Sequence, residues 1–378
     1  MSDLLVAYGL DDRVATLYSH ESSLLTGLVS EERTDDPDAR LALGRVVRVE
    51  RTRCLAATAA GLCLVEPDGV ISRRAGLAAP PVSGDWVVLA AQPGSDPAVV
   101  GNLPRRSELS RRAPGDRADP RQVLVANIDV LAIAVPLDRP FSASRVERTL
   151  VLAWESRALP LLVLTKADLA EDVEQVATAA ETIALGVDVI VTSGVTGVGA
   201  DELLTIVAGG TLAFIGPSGS GKSTLVNTIV GSEVQRTGDV RWLDSRGRHT
   251  TTSRDLVPIP GGGVLLDTPG LRGLGLLDAE AGMATTFADI EELASQCRFS
   301  DCGHASEPGC AVAAAIGAGD LDRRRLDNYQ KMVRELAHEK RRAGQASYAE
   351  RRQLRARFIA MHREAGPTRL DERRQSRG

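Results

Sequence analysis

The stretch TLAFIGPSGSGKSTLVNTIVG, residues 211 to 231, limits the possible folds more than any other part of the chain. Gly216 to Ser223 fits G-x-x-x-x-G-K-[ST], a loop that works only between a buried strand and the first turn of a helix. Four other near-continuous apolar runs share the texture of TLAFIG: VLVANIDVLAIAV (123 to 135), LPLLVLT (159 to 165), VDVIVTS (187 to 193) and GGVLLDT (262 to 268). Runs of this kind are what parallel strands buried on both faces look like. Helix-like segments such as SRVERTLVLAWESRA and DVEQVATAAETIALG separate them. The alternation predicts a doubly wound α/β domain over residues 113 to 275.

The loop residues Gly216, Pro217, Ser218, Gly219, Ser220, Gly221, Lys222, Ser223 and Thr224 are candidates to hold nucleotide phosphates. The glycines turn backbone N–H groups inward, and the helix after the loop adds its positive end. Lys222 is expected to reach the β- and γ-phosphates, and Ser223 to ligate Mg²⁺. Transporter-type ATPases use the same spelling, so the neighbours must choose the nucleotide. Downstream there is no LSGGQ-like segment; instead GGGVLLDTPG ends a strand with Asp267, Thr268, Pro269 and Gly270. Asp267 is placed to hold the Mg²⁺ water shell, and the Gly270 N–H to meet the γ-phosphate. Upstream, Thr165-Lys166-Ala167-Asp168 resembles the N/T-K-x-D element that reads guanine. A carboxylate at Asp168 accepts from the N1–H and 2-amino groups of guanine, neither of which adenine offers. Lys166 would lie along the base, and a backbone N–H near Ser193 would meet O6. The order is guanine reader, phosphate loop, switches, so the fold reads as circularly permuted.

Outside this domain the sequence divides into further segments. Residues 1 to 38 read as an N-terminal extension ending in the exposed polar run SEERTDDPDAR. Residues 39 to 112 carry short β-rich segments at the spacing of a small antiparallel barrel, with Trp86 as an aromatic and Cys54 and Cys63 as buried strand residues. Residues 276 to 378 contain Cys297, Cys302, His304 and Cys310 followed by two helical patterns, the second opening with Ser347 and Glu350 as a capping box. Three cysteines clustered with a histidine suggest a metal before disulfides. The net charge of −5 hides an asymmetry: residues 321 to 378 hold 17 Lys+Arg against 8 Asp+Glu, a balance of +9, leaving −14 on the rest. A grip on a polyanionic partner and a merely solvated charged face are both open as the use of that basic end. No apolar run approaches a membrane span and the N-terminus has no basic leader, which predicts a cytoplasmic location without membrane contact.

Motif order together with GRHTTTSRDL (247 to 256), DTPGLRGLGL (267 to 276) and CRFSDCGHASEPGCAV (297 to 312) resembles the circularly permuted ribosome small-subunit-dependent GTPase family, RsgA, over residues 40 to 340. The resemblance implies an OB-fold RNA-binding barrel, the permuted P-loop GTPase, and a zinc-bearing helical C-terminal domain. It also implies a monomer that binds GTP/GDP, Mg²⁺ and one structural Zn²⁺, acts in late small-subunit (30S) maturation, binds rRNA, and hydrolyses GTP when the small ribosomal subunit stimulates it. Cys297, Cys302, His304 and Cys310 then form a closed Cys₃His zinc set. One of Thr250, Thr251 and Thr252 is the switch I threonine that closes on Mg²⁺; Thr251 is favoured. Leu271 stands where many GTPases carry a water-orienting Gln, so His249 is expected to position the attacking water. The chain departs from the family at Arg272-Gly273-Leu274, where an acidic and an aromatic residue are common. Arg105, Arg106, Arg111 and Arg112 are expected to meet RNA phosphates from the barrel side.

Two further readings stay open. One is a nucleotide-gated RNA-binding checkpoint with little intrinsic hydrolysis, which Leu271 supports. The other is a transporter-like ATPase, which Asp168 and the missing signature segment disfavour.

Overall fold

The computed structural model describes residues 3–32, 40–50, 53–67, 80–91, 97–112, 121–231, 255–267, 278–305 and 307–341. Two helices open the chain where the sequence reads as a plain extension: α1 (Asp3–Ala7) and α2 (Asp12–Glu32). Asp11 starts α2 by accepting the Val14 N–H at 2.8 Å, a side-chain cap for an otherwise orphaned donor. Val14, Leu25 and Val29 recur at helical spacing and are buried against Trp86, Val88, Ala90, Val100 and Leu103. Ser30 to Glu32, assigned above to the exposed loop, belong to this helix.

The covered surface is the outside of a closed five-stranded barrel of order β1-β2-β3-β5-β4, with β1 (Arg40–Val49), β2 (Cys54–Thr58), β3 (Gly61–Pro67), β4 (Trp86–Ala91) and β5 (Ala98–Asn102). Alternation along β4 explains both faces: Val87 and Leu89 point into the barrel with Val46, Ala56 and Val99, while Trp86, Val88 and Ala90 lie under α2. Closure is not wholly antiparallel, because β3 and β5 pair in parallel. Trp86 is 2% exposed and lies beneath the Arg45 guanidinium, so it is no stacking platform for a base.

The run 123 to 135 is two strands. β7 (Arg121–Ala126) forms an antiparallel hairpin with β6 (Glu108–Arg112), and Asn127, at φ 55°, turns the chain into β8 (Val130–Pro136). Asn127 is suited to that left-handed turn because its amide N–H₂ donates to the Gly84 carbonyl at 3.0 Å.

β8 lies inside a six-stranded sheet of order β10-β9-β8-β11-β13-β12, with β9 (Leu159–Thr165), β10 (Val189–Val191), β11 (Thr211–Ile215), β12 (Asp255–Pro258) and β13 (Val264–Asp267). All neighbours are parallel except β12, an antiparallel edge strand. Helices α3 (Ala143–Glu155) and α4 (Val173–Ile183) cover one face, and α5 (Ala200–Val207) and α6 (Lys222–Val230) the other. Burial on both faces is why these strands read as continuous Val, Leu and Ile.

Beyond β13 come α7 (Glu280–Thr286), α8 (Ala288–Ser295), α9 (Ala311–Ala318) and α10, residues 323 to 341. α10 returns to α3, where the fully buried Glu147 accepts from Arg324, Arg325 and Asn328. Gly282 lets α7 touch α3, since a Cβ there would stand 2.1 Å from the Val151 carbonyl oxygen. Among the described residues no helix is long and apolar enough to cross a membrane.

Candidate nucleotide and metal sites

The phosphate loop, the guanine-reader segment and the Ser193 loop leave the carboxyl ends of β11, β9 and β10 on one edge of the sheet, where open α/β folds bind their ligands. Three glycines in the loop take positive φ, at 152° for Gly216, 73° for Gly219 and 83° for Gly221. At Gly216 the reason is also space: a Cβ would lie 2.7 Å from the Ala134 carbonyl oxygen of β8. The Lys222 ammonium turns back across the loop, donating to the Gly216 carbonyl at 3.0 Å, the Pro217 carbonyl at 2.8 Å and the Ser220 hydroxyl at 3.1 Å. Ser223 and Thr224 are exposed in the first turn of α6, with Leu225 and Val226 beneath them. Ser218 is exposed, and Ser220 is buried.

The reader is fastened to the loop directly. Thr165 is buried, and its hydroxyl donates to the Ser220 carbonyl at 2.6 Å. Lys166, in left-handed conformation at φ 62°, pairs with Asp138 at 2.6 Å. The Ala167 N–H donates to Thr192 at 3.1 Å, which ties the reader to the end of β10. Asp168 is exposed, and the buried Ser193 hydroxyl donates to its Oδ1 at 2.5 Å, orienting the carboxylate. The next residue, Gly194, packs on α6, where a Cβ would lie 2.7 Å from the Leu225 amide nitrogen, and its carbonyl accepts from Thr228 at 2.6 Å. One hydrogen-bonded unit therefore joins the residues expected to read the base to those expected to hold the phosphates.

Asp138 and Arg139 belong to this unit and were not foreseen. Lys166 and neighbouring Arg139 hold the Asp138 carboxyl below the usual carboxylate range, the Lys166 hydrogen bond foremost. Arg139 also donates to the Gly219 carbonyl at 3.4 Å. The only signal was a charged Asp-Arg pair directly after an apolar strand. His249, Thr250, Thr251, Thr252, Gly270 and Leu271 lie outside the described residues. Of Asp267, the last residue of β13, the backbone is described, and it is register partner to Asp255.

Cys297, Cys302, His304 and Cys310 come together, their ligand atoms all within 4.8 Å of one another. The Cys297 and Cys310 Sγ atoms are 3.8 Å apart, and each is 3.6 Å from His304 Nδ1. A tetrahedral zinc with bonds of about 2.3 Å to sulfur and about 2.0–2.1 Å to nitrogen requires separations of about 3.8 Å and about 3.6 Å. For Cys297, Cys310 and His304 the fit is therefore geometric as well as compositional. Cys310 caps α9, its Sγ accepting the Ala313 N–H at 3.3 Å. Burial acts to raise the Cys297 thiol, but the Val312 and Ala311 N–H groups and the other thiols outweigh it and lower it. Glu307 closes the loop by accepting the Gly303 and Ala305 N–H groups at 2.9 Å each.

The arginines expected to grip RNA are differently employed. Arg105 forms a fork on the buried Asp85 at 2.8 Å, and Arg106 pairs with Asp11 and Asp129. Arg111 donates to Gln122, and the Arg112 side chain lies outside the described residues.

Residues 102–277 match the family model described as RsgA GTPase. The chain is 46% identical over 305 residues to the small ribosomal subunit biogenesis GTPase RsgA of Streptomyces avermitilis, covering 78% of this chain and 80% of that protein. The chain belongs to the RsgA family. The RsgA of Streptomyces coelicolor is 47% identical over 302 residues, covering 77% and 80%. Among solved structures, YjeQ from Thermotoga maritima superposes with a TM-score of 0.60 at 28% identity, over 79% of this chain and 99% of that one. YloQ, described as a circularly permuted GTPase, gives 0.58 at 24% identity, over 79% and 96%, a likeness of fold. The permuted strand order read from this RsgA-family sequence thus has solved counterparts.

Proposed function

We propose that this protein is a GTP hydrolase of small-subunit biogenesis, converting GTP to GDP and phosphate with turnover stimulated by the small ribosomal subunit late in 30S maturation. The observation that carries the reading is the Thr165 hydroxyl bonded to the Ser220 carbonyl, with Asp168 oriented by Ser193 in the same network. A carboxylate so held selects guanine, because ATP would leave it facing a lone pair at N1.

In this reading Lys222 exchanges its loop carbonyls for the β- and γ-phosphates, a stronger charge-assisted contact. Backbone N–H groups from Gly219 to Thr224 cradle the remaining phosphate oxygens. Ser223, Asp267 and Thr251 are the residues that would hold Mg²⁺, which supplies charge neutralisation on the β,γ-phosphates. Gly270 meets the γ-phosphate, and His249 orients water in place of the Gln that Leu271 replaces. Cys297, Cys302, His304 and Cys310 hold one structural Zn²⁺; with four protein ligands it leaves no open position for catalysis. Residues 39–112, whose strands from Arg40 to Asn102 close the barrel, form an OB-fold that meets rRNA, flanked by the 1–38 extension, the GTPase at 113–275 and the zinc-binding domain at 276–378. The protein acts as a cytoplasmic monomer.

Leu271 favours one second reading, a checkpoint in which nucleotide gates RNA binding and hydrolysis is slow. GTP and ATP turnover, each measured with and without purified small subunits, decides between them. Stimulation of GTP turnover alone by subunits supports the hydrolase. Tight GTP binding with no stimulation refutes it in favour of the checkpoint. Equal use of ATP refutes the guanine reader.

A further inference from the structure

Barrel and GTPase meet at the strands from which the switch segments leave. β1 carries a bulge, its register against β2 shifting between Val46 and Arg48. The bulged residue Val47 is buried in one apolar cluster with Leu256 of β12 and Leu266 of β13. Its neighbour Arg48 puts a two-pronged guanidinium on Asp255, Nε to Oδ1 at 2.8 Å and Nη2 to Oδ2 at 2.6 Å. Both side chains are about three-quarters withdrawn from water, at 26% and 20% exposure. Asp255 opens β12 directly after the segment 250–254, and its register partner Asp267 closes β13 directly before the segment 268–277.

We propose that Arg48 is a positioning residue for GTP hydrolysis, acting from the barrel through Asp255. A forked arginine–carboxylate pair fixes orientation as well as distance, so it sets where the first residue of β12 sits. Through the Asp255–Asp267 register it sets the strand end that leads to Gly270. The phosphate loop and guanine reader leave β11 and β9; β11 pairs with β13, and neither strand pairs with β12, where the fork acts. Arg48 therefore governs turnover and leaves nucleotide binding alone. The inference rests on the hydrolase reading above, and it makes the barrel part of the catalytic apparatus as well as a contact for RNA.

The test is subunit-stimulated kcat and KM for GTP, GDP affinity and thermal stability for Arg48→Ala, Asp255→Ala and the reversed pair Arg48→Asp with Asp255→Arg. The expected result is a kcat lower by about tenfold in each single variant, the scale of a partly buried forked pair. GDP affinity stays within about twofold, and the reversed pair recovers most of the loss, as coupled residues do. An unchanged kcat overturns the inference, and so does a joint fall of kcat, GDP affinity and stability that the reversed pair fails to rescue. Should Arg48→Ala not fold, Arg48→Lys carries the test: it keeps the charge without the fork, and full kcat there overturns the proposal. Wild-type protein in the same assay separates the two levels, because absent stimulation refutes the hydrolase reading and this inference together.

Discussion

Replacing Asp168 with asparagine changes one oxygen to N–H₂ at nearly constant volume, and the surrounding network determines the effect. Ser193 donates to Oδ1 at 2.5 Å, and an asparagine keeps that contact by placing its carbonyl oxygen there. Its N–H₂ then takes the place of Oδ2 and faces the guanine edge donor to donor. One hydrogen bond to a charged acceptor, worth about 1.5–3 kcal/mol, is lost, the other weakens to a bond with a neutral acceptor, and the donor–donor repulsion adds to the deficit. A loss of about 3–6 kcal/mol is a factor of about 10² to 10⁴ in GTP affinity. Xanthine carries a 2-oxo group in place of the 2-amino group, so the same N–H₂ finds an acceptor. Titration of a fluorescent GDP analogue, with GTP, XTP and ATP as competitors, measures all three. A drop of less than tenfold for GTP, or no gain for XTP, would refute the assignment of Asp168 as the guanine reader.

Other perturbations probe neighbouring links. Thr165→Val keeps the shape and deletes the donor to the Ser220 carbonyl; GDP dissociation measured by stopped flow is expected to quicken by about 5- to 100-fold, from about 1–3 kcal/mol for a buried carbonyl losing its donor. Metal analysis is expected to find one zinc per chain, and Cys302→Ser to lower zinc content and the unfolding temperature of the C-terminal region while GDP affinity stays within about twofold. Arg148, through its hydrogen bond, holds Glu335 below its ordinary value of 4.5, so the pair adds stability that is complete above that pH and lost as pH falls through the lower folded value. Denaturation of wild type and Glu335→Gln across pH 3 to 7 is expected to show a difference at the neutral end that vanishes toward the acid end, and a difference independent of pH would refute the pairing.

What the sequence revealed was local chemistry. The phosphate loop, Thr165 to Asp168 and the four zinc-type ligands declare themselves because each pattern needs certain residue types within fourteen positions. Long-range pairing is another matter. Arg105 and Arg106 look like free cations beside a barrel until Asp85, Asp11 and Asp129 arrive from distant segments to neutralise them. Trp86 looks like an exposed aromatic until α2 covers it, and α2 went unseen although Val14, Tyr18, Leu25 and Val29 keep helical spacing. A single strand was expected where Asn127 reverses the chain, since its left-handed φ depends on the Gly84 carbonyl more than forty residues earlier. Thr165, the first residue of the N/T-K-x-D pattern, is the one that joins that segment to the phosphate loop.

Permutation gives these long-range contacts their meaning. In this chain order α7 is the next described helix after β13, so the C-terminal helices follow directly on the last strand of the sheet. Those helices do not hang from their connection. Arg324 and Arg325 seat α10 on Glu147 of α3, the helix that precedes β9 and its reader. A buried carboxylate gripped by two guanidiniums and an amide is costly to expose, by about 3–5 kcal/mol when one side is removed, so α10 and α3 move as one body. The barrel meanwhile holds the opposite strands, β12 and β13, through Val47 and Arg48. The C-terminal helices thus meet the sheet at α3, whereas the barrel meets it at β12 and β13 and also at the start of β11, where Arg45 of β1 donates to Thr211.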